Sequence, residues 1–340
     1  MDIISFNEAA TANGRIEKFI KDPDSNSGIV TVPKVIGAGE SVTIPAGRVA
    51  VLPNVQVDGT LNIEGEVFIP SGANFSGVVE KQSSNITVNV GAGQTYTTIN
   101  QALEYLSGFY PLYKQSGITA TINLKAGFVM AEQVLVRGLN LGWITIVGED
   151  AETIITHTAL TTNFTGADYE FPSYPAFGVS KGGTSPRIGQ LFRFNVEKVG
   201  GNKHGLMAIG SGSSADILVG KGFIGAGTYG IFAIVGAAIF ADSANASNAG
   251  TYGVYADSST IIAANRVNAS NAGSSGIRAV GSSIISAYMS IVQNQTTGSS
   301  CASVEAGGVI HVIGMNTTGG TVPALSQTAN TLTRNGIIYQ

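Results

Sequence analysis

The sequence predicts an all-β chain wound as a parallel β-helix, with one circuit of backbone for every 23–25 residues. Residues 228–250, 251–273 and 274–296 lie on top of one another as TYGIFAIVGAAIFADSANASNAG, TYGVYADSSTIIAANRVNASNAG and SSGIRAVGSSIISAYMSIVQNQT. Gly230, Gly253 and Gly276 mark one point in each copy, and a step of 25 extends the phase back to Gly205 and on to Cys301. The residues that follow alternate with a period of two: Ile231, Val254 and Ile277, then Phe232, Tyr255 and Arg278, then Ala233, Ala256 and Ala279. Such alternation is a strand with one buried face, so the aliphatic row points in and Phe232, Tyr255 and Arg278 point out. A solenoid of α-helices would share the period, but 45 glycines and abundant β-branched residues argue against it.

A second strand in each circuit is expected from the register Ile261, Ile284 and Val309, together with Ala241, Ala264, Ala287 and Val312. Between strands lie Gly, Ser and Asn, and the in-phase series Asn248, Asn271 and Asn294 can stack as an amide ladder at a turn. Ahead of the repeat, ITVNVGAGQTYTTINQALEYL reads as a strand and then a helix with Ile99, Ala102, Leu103 and Leu106 on one face. A helix there would cover the open end of the solenoid, where unpaired strand edges invite aggregation. The runs ITATINLKAGFVMAEQVLVRG and GWITIVGEDAETIIT read as the first rungs, and residues 157–203 as an insertion between rungs.

The chain opens differently. Residues 1–30 are polar and mixed in charge and read as an attachment or linker segment. Residues 31–84 read as a stem in which the period becomes six from Ile44 to Gly72, clearest in VQVDGT, LNIEGE and VFIPSG, with Val55, Leu61 and Val67 in phase and Gly59 matching Gly65. Two apolar residues followed by a glycine corner suit a three-sided β-prism, wound within one chain or woven from three. The β-helix is expected over residues 85–325, closed by a cap strand in 326–340.

Composition narrows the function classes. Charged residues are only 12 % of the chain, against about 25 % in average domains, and the net charge is −4. No basic patch recommends nucleic acid. The apolar runs are too short for a membrane-spanning helix, and the first residues lack the pattern of a signal peptide, so export is expected without the general secretory route or as part of a particle. Cys301 is the only cysteine, and His157, His204 and His311 are too dispersed for a metal site and read as turn or surface residues. No cofactor motif is present.

TYTTINQALEYL, INLKAGFVMAEQVLV and ITIVGEDAETIIT resemble the opening of right-handed parallel β-helix proteins of the pectate lyase and pectin methylesterase type. VAVLPNVQVDGTLNIEGEVFIPSG resembles the stem of bacteriophage tail fibre and tailspike proteins, and TANTLTRNGIIYQ the ends of such chains. The resemblance implies a homotrimeric fibre on an extracellular virion, docked through its N-terminus to other tail or baseplate proteins and recognising a bacterial surface glycan.

Catalysis would need more than fold. Glycoside hydrolysis uses two carboxyl groups about 5–9.5 Å apart. The repeat region offers Asp216, Asp242, Asp257 and Glu305, with no two aligned on adjacent rungs. The richer supply is in the expected insertion, where Asp168, Glu170 and Glu197 are the candidates if the protein is a depolymerase, by hydrolysis or by lyase chemistry. A Gly-x-x-Asp-Phe signature of pectin methylesterases and an aspartate cluster for Ca²⁺ are both missing. Binding needs less: Tyr229, Phe232, Tyr252, Tyr255 and Arg278 form an outward row of aromatic and guanidinium planes, either a platform for an extended glycan or an interface with sister chains. The reading is therefore a non-enzymatic receptor-binding fibre, with a structural adaptor carrying another receptor-binding protein as a further alternative.

Overall fold

The computed structural model describes residues 29–30, 35–37, 39–44, 49–51, 56–57, 60–63, 66–68, 80–82, 84–111, 117–165, 172–294, 301–317 and 337–339. The chain divides into two compact units, residues 1–83 with 108–113 and residues 84–107 with 114–340.

In the first unit seven short strands pair in rotation. Ile29–Val30, Val49–Val51 and Glu66–Phe68 form one parallel ladder, Val35–Ile36 and Gln56–Val57 a second, and Ser41–Ile44 and Thr60–Ile63 a third. The partners Val42 and Leu61, or Ala50 and Val67, are close to three six-residue segments apart in sequence. Glu80–Gln82 pairs with Phe109–Pro111 in the same unit.

The second unit is a parallel β-solenoid of about seven turns, and it has three walls. Wall 1 begins with Ile86–Val90, Ala120–Leu124, Ile144–Gly148 and Arg187–Ile188. Bridges at Thr184–Ser214 and Ile188–Ile217 continue it into Ser214–Asp216, Ala238–Phe240, Ile261–Ala263, Ile284–Ser286, Val309–His311 and Ile337–Tyr339. Wall 2 runs through Val129–Met130, Thr153–Ile155, Leu191–Phe194 and Gly222–Ile224, then shrinks to single bridged residues at Asn245, Asn268, Ile291 and Asn316. Wall 3 is the longest sheet: Val134–Arg137, Tyr174–Ser180, Lys203–Ile209, Tyr229–Ile234, Tyr252–Asp257, Ile277–Ala279 and Ala302–Val304.

The expected inward row is in place. Ile231, Val254, Ile277, Ala233, Ala256 and Ala279 are all fully buried. The in-phase glycines mark the inner corner between walls 2 and 3. A Cβ on Gly253 would stand 2.6 Å from Ala269 Cβ and 2.9 Å from Gly276 O, and one on Gly276 would stand 2.1 Å from Val292 Cγ1. In the last of these coils Cys301 takes the position, its buried thiol donating to Val292 O at 3.2 Å.

Three expectations change. Wall 1 buries Ile239, Ile262, Ile285 and Ile310, so Ile261 and Ile284 of the expected register face outward. Residues 174–194 supply strands to all three walls, so the expected 157–203 insertion includes parts of the solenoid itself, and Leu160 to Thr165 lie in an excursion from it. Asn248, Asn271 and Asn294 serve the turn through left-handed backbone, with φ of 58°, 58° and 53°. The side-chain bonds at that corner come instead from Asn245 Oδ1, which accepts from Ser247 N and Oγ, and from Asn268 Oδ1, which accepts from Ser270 N.

The helix Ile99–Ser107 buries the four residues expected of it and packs on the first two strands of wall 1. A capping box starts it: Thr98 Oγ1 accepts from Gln101 N at 3.2 Å, while Gln101 Oε1 accepts from Thr98 N at 3.3 Å. Glu132, from the second coil, accepts from the next two amides, Ile99 N at 2.6 Å and Asn100 N at 3.1 Å. Burial raises its pKa, and the helix amides oppose that shift by stabilising the carboxylate. Among the described residues no helix is long and apolar enough to cross a membrane.

Two substitutions test this packing in opposite directions. Val254→Asp leaves an unpaired carboxylate in the core at a cost of several kcal/mol, and soluble expression with an unchanged melting temperature would contradict the register. Val235 is a β-branched residue held at φ 57° and 44 % exposed at the corner between walls 3 and 1. Because asparagine tolerates that conformation, Val235→Asn should raise stability by about 1 kcal/mol, read as a higher denaturant midpoint.

Candidate functional site

The outer face of wall 3 gathers most of the residues singled out above. In-register parallel strands place each outward side chain over its counterpart in the next coil, roughly 4.8 Å away. His204 lies over Tyr229 at 4.8 Å and 9°, Tyr229 over Tyr252 at 5.4 Å and 10°, and Phe232 over Tyr255 at 5.1 Å and 5°. The Arg278 guanidinium covers the far side of Tyr252 at 5.1 Å. Ring faces are therefore taken up by neighbouring rings, and the ladder presents edges outward. This differs from the flat platform of planes that the sequence suggested.

Part of the wall is covered by the chain itself. Phe164, from the excursion, lies on Gly178, where a Cβ would come within 2.9 Å of its ring. The Arg137 guanidinium lies over the Phe164 ring at 4.8 Å and donates to its carbonyl at 3.0 Å. Gln133 pins the same segment, accepting from Thr162 N at 2.7 Å and donating to Thr162 O at 3.1 Å. The result is a second apolar core outside the solenoid, made of Phe164, Met207, Ile209, Phe232 and Ile234. Phe232 points outward as expected but is only 1 % exposed, which removes it as a contact residue. Tyr229, Tyr252, Tyr255 and Arg278 remain partly exposed.

Beyond the covered part lies an array that the sequence reading missed. Asp257, Val280 and Glu305 occupy one outward column, and Tyr255, Arg278 and Ser303 the next. Tyr255 Oη donates to Asp257 Oδ2 at 3.1 Å, Ser258 Oγ to Asp257 Oδ1 at 3.1 Å, and Arg278 Nη2 to Glu305 Oε2 at 2.7 Å. Burial and the adjacent Asp257 carboxylate keep the Tyr255 phenol protonated far above its ordinary range. Arg278 Nε and Ser303 Oγ, side by side in their column, are shielded from solvent without a hydrogen-bond partner. Asp257 and Glu305 are set aside on sequence as unaligned on adjacent rungs, because they align two coils apart, through successive spacings of 23 and 25 residues.

The other candidates are placed elsewhere or lie outside the described residues. Asp168 and Glu170 belong to the latter group. Glu197 is exposed and bound to Arg193 Nη1 at 2.7 Å, while Arg193 also forks onto Glu152 at 2.6 and 2.9 Å. The Arg193 hydrogen bonds hold Glu152 below the usual carboxylate range and raise the pKa of Arg193. Held this way, Glu152 favours its carboxylate form and is poorly suited to act as a general acid. Among the described residues no three His, Cys, Asp or Glu side chains gather as a metal site.

His204 departs most from its expected surface position. It is 1 % exposed, faces the Tyr229 ring and leaves Nδ1 unpaired. Its spacing of 25 residues from Tyr229, the same as Gly205 to Gly230, was the available signal. A scan against protein-family models finds no match, and a search of the curated proteins finds none.

Burial lowers the His204 pKa to about 3 from an ordinary value of 6.5. Below pH 6.5 the unfolded chain takes up a proton that the folded chain refuses, so stability should fall by about 1.4 kcal/mol per pH unit until the folded pKa is reached. His204→Phe, which retains an aromatic ring over Tyr229, should flatten that part of the stability profile in urea titrations between pH 7 and pH 4. An unchanged slope would show that His204 is already protonated in the folded protein or is not its source.

Proposed function

We propose that the protein is a tail fibre or tailspike protein of a bacteriophage, a homotrimer that binds a bacterial surface glycan without cleaving it. The observation that carries the binding half of this reading is the array on wall 3. Asp257 and Glu305 can accept from sugar hydroxyls, and the partly exposed Arg278 and the tyrosine edges add donors on a rigid, regularly spaced frame. Both carboxylates are already engaged by neighbouring donors, an arrangement that suits recognition more than proton transfer. The fibre half rests on the phage-stem resemblance of residues 49–72 and on the three-sided strand rotation there, which suits a prism stem ahead of the β-helix. On this reading residues 1–30 dock to other tail or baseplate proteins, and the protein acts outside the cell on the virion.

Asp257 and Glu305 also give the depolymerase alternative its best footing, since two coils separate their backbones by about 9.6 Å, near the upper end of the range for an inverting glycosidase. One experiment separates the two. Purified full-length protein is presented to a panel of bacterial capsular and lipopolysaccharide glycans, with binding and new reducing ends or unsaturated sugars measured together. Binding without new ends is expected. Arg278→Lys and Glu305→Gln should each weaken it by about 10-fold, the loss of one charge-assisted hydrogen bond, while Asp168→Asn with Glu170→Gln leaves it unchanged. Cleavage abolished by Asp257→Asn or Glu305→Gln would replace the adhesin with an enzyme.

A further inference from the structure

The outer face of wall 1 in the later coils is apolar and, unlike that of wall 3, has no cover among the described residues. Phe240 is 57 % exposed, Ile261 58 % and Ile284 42 %, and Met289 and Ile313 at the following corner are exposed as well. Ile261, Ile284 and Val309 form one outward column in direct register. The adjacent column, Phe240, Ala263, Ser286 and His311, carries no carboxylate, lysine or arginine. Charge returns at the margins, with the Arg187–Asp216 ion pair toward the N-terminal coils and exposed Asp242 and Arg266 at the corner.

We infer that this face is where copies of the chain pack against one another. Its exposed aliphatics repeat at the rise of one coil, and a rigid sheet with that repeat is matched by another sheet with the same repeat, so the columns of two copies can interdigitate as in sheet-on-sheet packing. Four coils at about 4.8 Å, crossed by about five residues of strand and corner at about 3.3 Å each, give an apolar plane on the order of 300 Å². That is the dry centre of an interface of roughly 800 Å² per partner, and the charged margin supplies its polar rim. A partner selected by charge would find nothing to read here. The inference deepens the proposed homotrimer by naming its contact face, and it removes the need to assign the wall 3 row to sister chains.

The test uses full-length protein. Light scattering at micromolar concentration should report an oligomer for the wild type, and Ile261→Asp with Ile284→Asp should weaken association at least 100-fold. Both positions are exposed, so circular dichroism should stay unchanged. As a second readout, Ile284→Cys should cross-link between copies under mild oxidation, because Cys301 is buried and does not compete. An oligomer that survives the double substitution and gives no cross-link overturns this assignment and leaves the homotrimer standing on another contact. A wild type that stays monomeric overturns both.

Discussion

Parallel in-register pairing is the constraint on which the solenoid unit depends. Each residue of a coil lies over its counterpart in the coil before, at about 4.8 Å, so every property of the unit comes in columns. Inside, columns must be apolar and closely sized, as with Ile239, Ile262, Ile285 and Ile310. Where the chain turns inward between walls 2 and 3, a Cβ on Gly253 or Gly276 would collide with the neighbouring coil, and a side chain, that of Cys301, takes the position in the last of these coils. Outside, the same stacking forces aromatic rings face to face and sets a carboxylate beside a guanidinium wherever adjacent columns carry them. A single side chain is therefore seldom free to act alone.

Corners show the cost of this regularity. The turn from wall 3 to wall 1 uses two left-handed residues in several coils, as at Val235–Gly236, Ser258–Ser259, Gly281–Ser282 and Ala306–Gly307. Glycine and serine accept that backbone with modest strain, and valine does not. The column geometry is thus strong enough to hold a β-branched side chain in an unfavourable conformation. Elsewhere the chain relieves a similar conflict by adding material: the outward apolar row Met207, Phe232 and Ile209, Ile234 is closed by Phe164 from the excursion, which Gln133 and Arg137 hold in place.

What could be read from the sequence followed from how strongly each column constrains composition. The corner glycines and the inward row of wall 3 were legible because both demand one kind of residue at each step. Wall 2 was not, because in its later part it is reduced to single bridged positions, where Asn245 and Asn268 look like turn residues. Wall 1 was half legible: the pairs Ile261–Ile262 and Ile284–Ile285 satisfy either register, and only packing selects the second residue as the buried one. Residues 174–194 passed for an insertion because the preceding excursion breaks the phase, although their strands join every wall. The candidate site was legible in its aromatic and arginine members and hidden in its acids, since Asp257 and Glu305 meet only when two unequal steps are combined.

The three outer faces then differ in a way that bears on function. Wall 3 buries its apolar part under Phe164 and leaves a polar array of tyrosine edges, Arg278, Asp257 and Glu305 beyond it. The outer side of wall 2 carries the Glu152–Arg193–Glu197 ion-pair network, whose partners satisfy one another near the surface and contribute little to stability. Wall 1 ends in a face with exposed isoleucines and, in its two outward columns, no carboxylate, lysine or arginine in the later coils. Hydroxyl-rich ligands are recognised by hydrogen bonds that compete with water, whereas protein surfaces associate most readily where water is displaced from apolar ground. On those terms the wall 3 array suits a hydroxyl-rich ligand and the later coils of wall 1 suit an apolar protein surface, and the two proposed roles need not share a residue.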